Sequence, residues 1–139
     1  MKQQPSRLKF RKNHKVSFSF FCLKDQKTFL PLYGRFALKC VFPTKVTFSN
    51  IEAARKSLRR NAGKSSKIFI RLFTGHSVTK KPIAVRMGSG KGNHAFWMCP
   101  VRAGQIIFEI VGPAVLSYKA LRRASKKLPC KCTIVGLNF

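Results

Sequence analysis

The sequence predicts an α+β fold: a mixed or antiparallel sheet with two helices packed on one side, a basic N-terminal arm and a long glycine-rich loop. Three observations carry this expectation. Several short segments alternate apolar and polar residues with the two-residue period of strands. Two longer segments repeat apolar residues at helical spacing, with basic residues on the remaining arc. Finally, 45% of the 139 residues are hydrophobic, including 13 Phe, which is core-forming material for a chain long enough to bury roughly two-thirds of its unfolded surface. Strands and helices that each own one apolar face must bury it in layers.

Residues 1–15 read as an arm, with Arg7, Lys9, Arg11, Lys12, His14 and Lys15 around the single Phe10. Such a segment lacks a core of its own and is expected to order on a partner. Residues 16–139 then form a single α+β domain. Val16, Phe18 and Phe20 alternate with Ser17 and Ser19 as a strand, and Asp25 to Pro31 reads as a connection. Arg35 to Val41 is a second strand with Phe36, Leu38 and Cys40 on one side; Lys45 to Phe48 is a short third one.

Ser49-Asn50-Ile51-Glu52 has the form of a capping box, in which Ser49 and Glu52 satisfy each other's backbone amides. Ile51, Ala54, Leu58 and Ala62 make the apolar stripe of the helix that follows, and Arg55, Lys56, Arg59 and Arg60 cluster beside it until Gly63 ends it. No acid follows the first turn, so no intrahelical ion pair is expected and the basic arc reads as a phosphate-docking surface. Lys67 to Phe73 alternates as a strand between two packed layers, and residues 74–94 read as a long loop. Ala95 to Val101 and Gln105 to Val111 are strands joined by a turn at Arg102-Ala103-Gly104, with Phe96 and Trp97 taken as core rather than base-stacking residues. Gly112-Pro113 opens a second helix running to about Leu128, where Pro129 stops it. Ala114, Ser117, Tyr118, Leu121, Ala124 and Leu128 form its inner side, with Lys119, Arg122, Arg123, Lys126 and Lys127 opposite. The tail TIVGLNF is assigned no element.

Charge bounds the function. The chain has 29 Lys and Arg against three acids, Asp25, Glu52 and Glu109, for a formal net charge of +26. Spread from Lys2 to Lys131 over a core-forming sequence, that charge calls for a polyanionic partner, of which nucleic acid is the commonest. Three scattered acids do not supply the paired carboxylates or metal cluster of an RNA-processing enzyme. Cys99 with His94 lacks an orienting carboxylate, so no catalytic residue, metal or cofactor is expected. A basic DNA-binding or histone-like protein is the alternative, although no helix-turn-helix or dimer interface is evident. Of five cysteines, Cys130-Lys131-Cys132 has no second pair or nearby His to complete a zinc site. An odd, scattered set reads as free thiols in a reducing compartment. No apolar run reaches membrane-spanning length.

The stretch 79–97, TKKPIAVRMGSGKGNHAFW, concentrates the remaining signal. Gly88, Gly90 and Gly92 let backbone amides approach an anion, and Lys80, Lys81, Arg86 and Lys91 add charge. The Walker pattern fails because Gly92, not a hydroxyl residue, follows Lys91; near Gly63-Lys64-Ser65, Leu58 stands where the first glycine is required. The dinucleotide fingerprint fails on spacing. A basic glycine loop over 79–94, reaching into folded RNA, remains.

R-M-G-S-G-K-G with Trp97 five residues on resembles the signature of the bacterial-type large-subunit ribosomal protein sixteen family. PSRLKFRKNHK is similar to that family's P-x-R-x-K-F-R-K-x-H-K opening, GRFALKC to its first core strand, and NIEAARKSLRR to its Q-I-E-A-A-R-R helix. GKSSKIFIRLF resembles its G-K-I-W-I-R-V-F strand, VTKKPIAVRMG its lead into the loop, and KLPCKC its K-L-P-I-K-T exit. The resemblance implies a structural constituent of the large ribosomal subunit. Its partners would be large-subunit rRNA, aminoacyl-site tRNA and neighbouring large-subunit proteins, with neither membrane nor self-oligomer. The arm and helix cations named above would bind rRNA. Lys80, Lys81, Arg86, Met87, Gly88, Gly90, Lys91, Gly92 and Asn93 would point toward the tRNA near the peptidyl-transferase region.

Departures from the pattern are concentrated in VSFSFFCLKDQKTFLPLY, residues 16–33, read as an extra hairpin or a contact with a neighbouring protein. The basic, Ser-containing N-terminus also suits a transit peptide. The arm motif begins within a few residues of Met1, however, so the chain is expected to be made where it works. With its many Phe residues and its drift from the bacterial pattern, it is expected in a mitochondrial ribosome as an organelle-encoded product; a plastid or bacterial ribosome is the alternative.

Overall fold

The computed structural model describes residues 3–17 and 29–136. Among these, seven strands form two antiparallel sheets. Strands β1 (Phe36–Cys40), β3 (Lys67–Ile70), β6 (Ile106–Val111) and β7 (Cys132–Gly136) make the larger sheet in the order β3-β6-β1-β7. The smaller sheet is β2 (Thr44–Thr47), β5 (Asn93–Val101) and β4 (His76–Lys80), in the order β2-β5-β4. Helices α1 (Phe48–Ala62) and α2 (Ala114–Ser125) pack against each other and on the larger sheet. The predicted α+β class with two packed helices is what the chain adopts.

Strand register explains the core. Leu38 stands opposite Phe108 and Ile134, Phe36 opposite Ile110, and Ile110 and Phe108 in turn opposite Ile68 and Ile70. These residues share one face, onto which α1 lays Ile51, Ala54, Leu58 and Ala62, and α2 lays Ala120, Leu121 and Ala124. Burying each of the larger side chains contributes roughly 1.5–3 kcal/mol.

The other face of that sheet carries the one fully buried acid among the described residues. Glu109 stands between Ala37 and Phe69 on β6 and has no solvent exposure. Its Oε2 accepts from the backbone N–H groups of Leu32 (3.1 Å), Tyr33 (2.6 Å) and Gly34 (2.9 Å). Arg71 donates to Oε1 as an ion pair and also lies over the Tyr33 ring, 5.5 Å from its centroid. Tyr33 in turn stacks on Phe69 at 5.2 Å. Residue 34 must be glycine for this approach, since a Cβ there would stand 2.7 Å from the Ile110 nitrogen.

Several boundaries differ from expectation. The strand expected through Val16, Phe18 and Phe20 falls, from Phe18 on, outside the described residues, as do Cys22, Asp25 and most of the Asp25–Pro31 connection. Helix α1 starts at Phe48, and Thr47 is its N-cap, its Oγ1 accepting from the Asn50 N–H at 3.4 Å. Ser49 is thus inside the first turn, bonded to the Thr47 hydroxyl at 2.8 Å, and the capping box does not form. Glu52 instead pairs with Arg55 through two bonds of 2.9 and 2.6 Å. This overturns the expectation of no intrahelical ion pair: a carboxylate three residues before an arginine on one helix face is within reach.

Strand β3 ends at Ile70, short of Phe73, which is exposed. Part of the expected 74–94 loop is strand β4, and Asn93 and His94 belong to β5, because β4 and β5 pair edge to edge. Strands β5 and β6 follow one another but lie in different sheets, so the turn between them crosses layers. Helix α2 ends at Ser125, with Ala114 and Tyr118 exposed and Ala120 on the buried side in their place. Trp97 is half-buried and Phe96 exposed, so neither is core. The tail, assigned no element, supplies β7, paired along all of β1.

Replacing Glu109 by Gln leaves Arg71 and three backbone amides without their anion, and removing one partner of a buried pair costs about 3–5 kcal/mol. The urea midpoint of the full chain, followed by far-UV circular dichroism, is expected to fall accordingly; an unchanged midpoint would contradict the structural weight given to this carboxylate. The Glu52–Arg55 pair is half-exposed and contributes only about 0.2–0.5 kcal/mol. Hydrogen bonding to Arg55 holds the Glu52 carboxyl below its usual 4.5, so the pair's contribution is complete above the ordinary carboxylate range and disappears as pH falls through the depressed value. Glu52→Gln is expected to lower the melting temperature slightly at neutral pH, with the difference closing in strong acid.

Candidate nucleic-acid interface

The cationic residues singled out in the sequence lie on three surfaces. On α1, the buried stripe leaves Lys56, Arg59 and Arg60 exposed, and Arg55 half-exposed beside Glu52. On α2, Lys119, Arg122 and Arg123 are exposed, with Lys126 and Lys127 in the turn just after it. The arcs adjoin: Arg123 of α2 donates to the Asn61 side chain at the end of α1. Each helix also ends in two arginines, Arg59 and Arg60 or Arg122 and Arg123, where positive charge complements the helix dipole. Three of these cations are partly committed inside the chain: Arg55 to Glu52, Arg59 to the Ser66 carbonyl at 3.0 Å, and Arg123 to Asn61. Lys56, Arg60, Arg122 and Lys126 have no side-chain hydrogen bond among the described residues.

The second surface is the arm. Arg7, Lys9, Arg11, Lys12, His14 and Lys15 are all exposed, as is Phe10, over which Lys9 sits at 5.6 Å. The arm has neither helix nor strand among its described residues, yet it is tied to the body at both ends. Near its start, the buried Gln3 carbonyl accepts from the Thr74 N–H at 3.0 Å and from the Thr74 hydroxyl. Near its end, the His14 carbonyl accepts from His76 Nε2 at 3.0 Å. His76, which the sequence offered no role, is the first residue of β4 and anchors the arm.

The third surface is the glycine loop, now confined to residues 81–92 between β4 and β5. Arg86, Met87, Gly88, Gly90 and Lys91 are exposed, Met87 completely; Lys80 and Asn93 stand exposed at the loop's two stems. Gly88, Ser89 and Gly90 all adopt positive φ, at 104°, 54° and 76°. For Ser89 that conformation costs about 1–2 kcal/mol, and it curls the tip so that successive backbone amides are displayed. Gly92 lets the two stems touch, since a Cβ there would lie 2.7 Å from the Lys80 carbonyl. Lys81, half-buried at the base, donates to the Gly88 carbonyl and spans the loop.

Arm and loop meet through reciprocal lysine bonds. Lys12 of the arm donates to the Lys91 carbonyl at 3.1 Å, and Lys91 donates to the Asn13 carbonyl. Two cations thereby lie side by side without an acid between them, an arrangement that concentrates positive potential where an anion would be received. His94, on the stem of β5, is bonded to the Ser77 hydroxyl at 2.7 Å and packs on Trp97 at 4.6 Å. Sequence reading passed over Lys64, exposed in the turn after α1, and Lys67, exposed at the start of β3; Lys67 borders a groove also lined by Arg55, Arg59 and Phe69. The density of lysines in GKSSK was the available signal.

The Cys99–His94 pair weighed in the sequence is not an activated nucleophile. Cys99 is buried, and burial pushes its thiol up to about 11, so it stays protonated at neutral pH. Among the described residues no group of three His, Cys, Asp or Glu is placed to hold a metal ion, and no helix is long and apolar enough to cross a membrane.

Comparison with known proteins identifies the family. The family model for ribosomal protein L16p/L10e matches residues 5–135. The large ribosomal subunit protein uL16 of Blochmanniella pennsylvanica is 41% identical over 134 residues, covering 96% of this chain and 97% of that protein. Those of Pseudoalteromonas atlantica and Pelagibacter ubique are 39% and 40% identical over 133 residues, covering 95% of this chain and 95% and 96% of theirs. With likeness running from the arm through β7, the chain belongs to the ribosomal protein L16p/L10e family, as a structural constituent of the large ribosomal subunit rather than an enzyme.

Proposed function

We propose that this protein binds large-subunit rRNA through its arm and paired helices and holds the 81–92 loop toward the aminoacyl-tRNA site, helping to shape that site beside the peptidyl-transferase centre. The observation that carries this reading is the placement of nearly all charge on exposed surfaces, while the chain's two described acids are each taken up by an arginine of their own. What is left facing solvent is cationic, and cations that displace condensed counterions are the main source of affinity for RNA. The curled, amide-displaying loop tip with Arg86 and Lys91 supports the tRNA-facing role. A non-glycine residue held at positive φ, as Ser89 is, stores strain of the kind that gathers at functional sites.

We further infer that the protein works in a mitochondrial ribosome. The Phe-rich segment 16–33, which departs from the bacterial pattern, supports this reading, although the relatives named above are bacterial. Lysate fractionation tests it: the protein is expected to co-sediment with the large subunit in purified mitochondria and to leave it only at high salt. Recovery solely with cytoplasmic ribosomes would overturn the mitochondrial assignment, and recovery chiefly on DNA would overturn the ribosomal interface as well.

Changing Lys56, Arg60, Arg122 and Lys126 together to Gln is expected to leave the circular dichroism spectrum intact. The slope of log binding constant against log salt for an rRNA fragment should become shallower by roughly 0.7–0.9 for each phosphate contact removed. An unaltered slope would exclude the helices from the interface. Changing Arg86 to Gln is expected to weaken aminoacyl-site tRNA binding by about tenfold, the loss of one charge-assisted bond, with peptidyl-site binding unchanged. Ribosomes carrying that change but accepting tRNA normally would remove the loop from this role.

A further inference from the structure

Three of the cysteines converge where α2 gives way to β7. Cys40, at the end of β1, stands directly opposite Cys132, the first residue of β7. The backbone N–H and C=O of Cys40 bond to Gln105 and Gly104, on the side away from β7. Cys40 and Cys132 are therefore a non-hydrogen-bonded pair, the closer of the two antiparallel pair types. Cys130 completes the group, its sulfur 3.4 Å from that of Cys132. All three are free thiols. Cys40 is 1% exposed, whereas Cys130 and Cys132 are both half-exposed.

We propose that Cys130 and Cys132 form an oxidisable dithiol, a modification site that hydroperoxides convert reversibly to a disulfide. The Cys130 thiol is drawn down, chiefly because the Cys132 sulfur 3.4 Å away hydrogen-bonds to its thiolate. Cys40 and Cys132 are pushed up beside Cys130, and the Cys40 thiol donates to the Phe42 carbonyl at 2.9 Å. The reactive species is the thiolate, and the Cys132 thiol, which faces the Cys130 carbonyl at 3.5 Å as well as the Cys130 sulfur, is placed as the donor; Cys130 is therefore the attacking sulfur and Cys132 the resolving one.

The Cys130 thiolate attacks one peroxide oxygen; the O–O bond breaks, the departing hydroxide takes a proton to become water, and Cys130 becomes a sulfenic acid. The Cys132 sulfur then attacks the Cys130 sulfur, the S–O bond breaks, and hydroxide leaves with the Cys132 proton as a second water. Each sulfur gives up one electron and the peroxide gains two. A thiol reductant reverses the change by exchange. The disulfide closes across Lys131, whose carbonyl accepts from the Val41 N–H at 2.9 Å, and so locks the root of β7.

The full-length chain, treated with hydrogen peroxide and then alkylated, can be cleaved after lysine. Lys131 separates Cys130 from Cys132, so their disulfide is read as a linked pair of peptides. The expected result is that linkage, reversed by dithiothreitol, with Cys130 losing alkylation about tenfold faster than buried Cys99. In Cys132→Ser, a sulfenic acid trapped by dimedone is expected at Cys130; in Cys130→Ser, Cys132 is expected to stay reduced. The proposal is overturned if Cys130 and Cys99 oxidise at the same rate, if the linked peptides join Cys40 to Cys132, or if Cys132 oxidises as fast without Cys130.

Discussion

A single buried carboxylate sets the terms for the larger sheet. Glu109 lies on the central strand β6, on the face opposite the helices, and turns inward three backbone amides and one arginine from a chain of +26. An isolated charge at that depth would be prohibitively costly. Here its oxygens are satisfied by donors from two separate segments, residues 32–34 and Arg71. The pairing joins the chain entering β1 to the chain leaving β3, and the Tyr33 ring is held between Arg71 and Phe69. Because β6 pairs with both β1 and β3, the carboxylate fixes the far face of the sheet on which both helices rest.

That internal use of acid explains how so basic a protein folds. Self-repulsion grows with net charge, and an excess of cations offers few attractive pairs to offset it. The two described acids stand at points of leverage, Glu109 at the centre of the sheet and Glu52 near the start of α1. Elsewhere the chain lets its lysines and arginines donate to carbonyl oxygens: Arg59 to Ser66, Lys12 to Lys91, Lys81 to Gly88. Such bonds hold the shape of the basic surfaces without cancelling their charge, and leave the potential available to a polyanion.

What was legible in the sequence was whatever periodicity carried. Ile51, Ala54, Leu58 and Ala62 repeat at helical spacing and are all buried, and Phe36, Leu38 and Cys40 alternate on one face of β1. The helix start was misread because Thr47 and Ser49 are both hydroxyl residues two apart; only backbone geometry decides which of them caps. Strand β4 was hidden because HSVTK is polar and gains its strand character from pairing with β5, a nonlocal term absent from any local window. Tyr118 and Ala120 were exchanged in burial because aromatic bulk suggests a core where two closely packed helices admit only small residues. In the candidate interface the cations were visible individually; the reciprocal ties between arm and loop, 78 and 79 residues apart, were not.

Those ties give the glycine loop its physical meaning. Residues 82–91 are exposed and carry no buried side chain to fix them, and three consecutive positive-φ residues at the tip weaken any intrinsic preference for one shape. The order of the loop is therefore borrowed: from Lys81 across its base, from the stem contact that Gly92 permits, and from an arm anchored at Thr74 and His76. Arm and loop are in this sense one surface, since moving Asn13 removes a partner from Lys91 and moving Lys91 removes one from Lys12. A polyanion that orders the arm lowers the conformational cost of presenting the loop, and one that holds the loop does the same for the arm. The coupling requires no change in the sheets beneath, so a rigid core can carry a surface whose two parts order together.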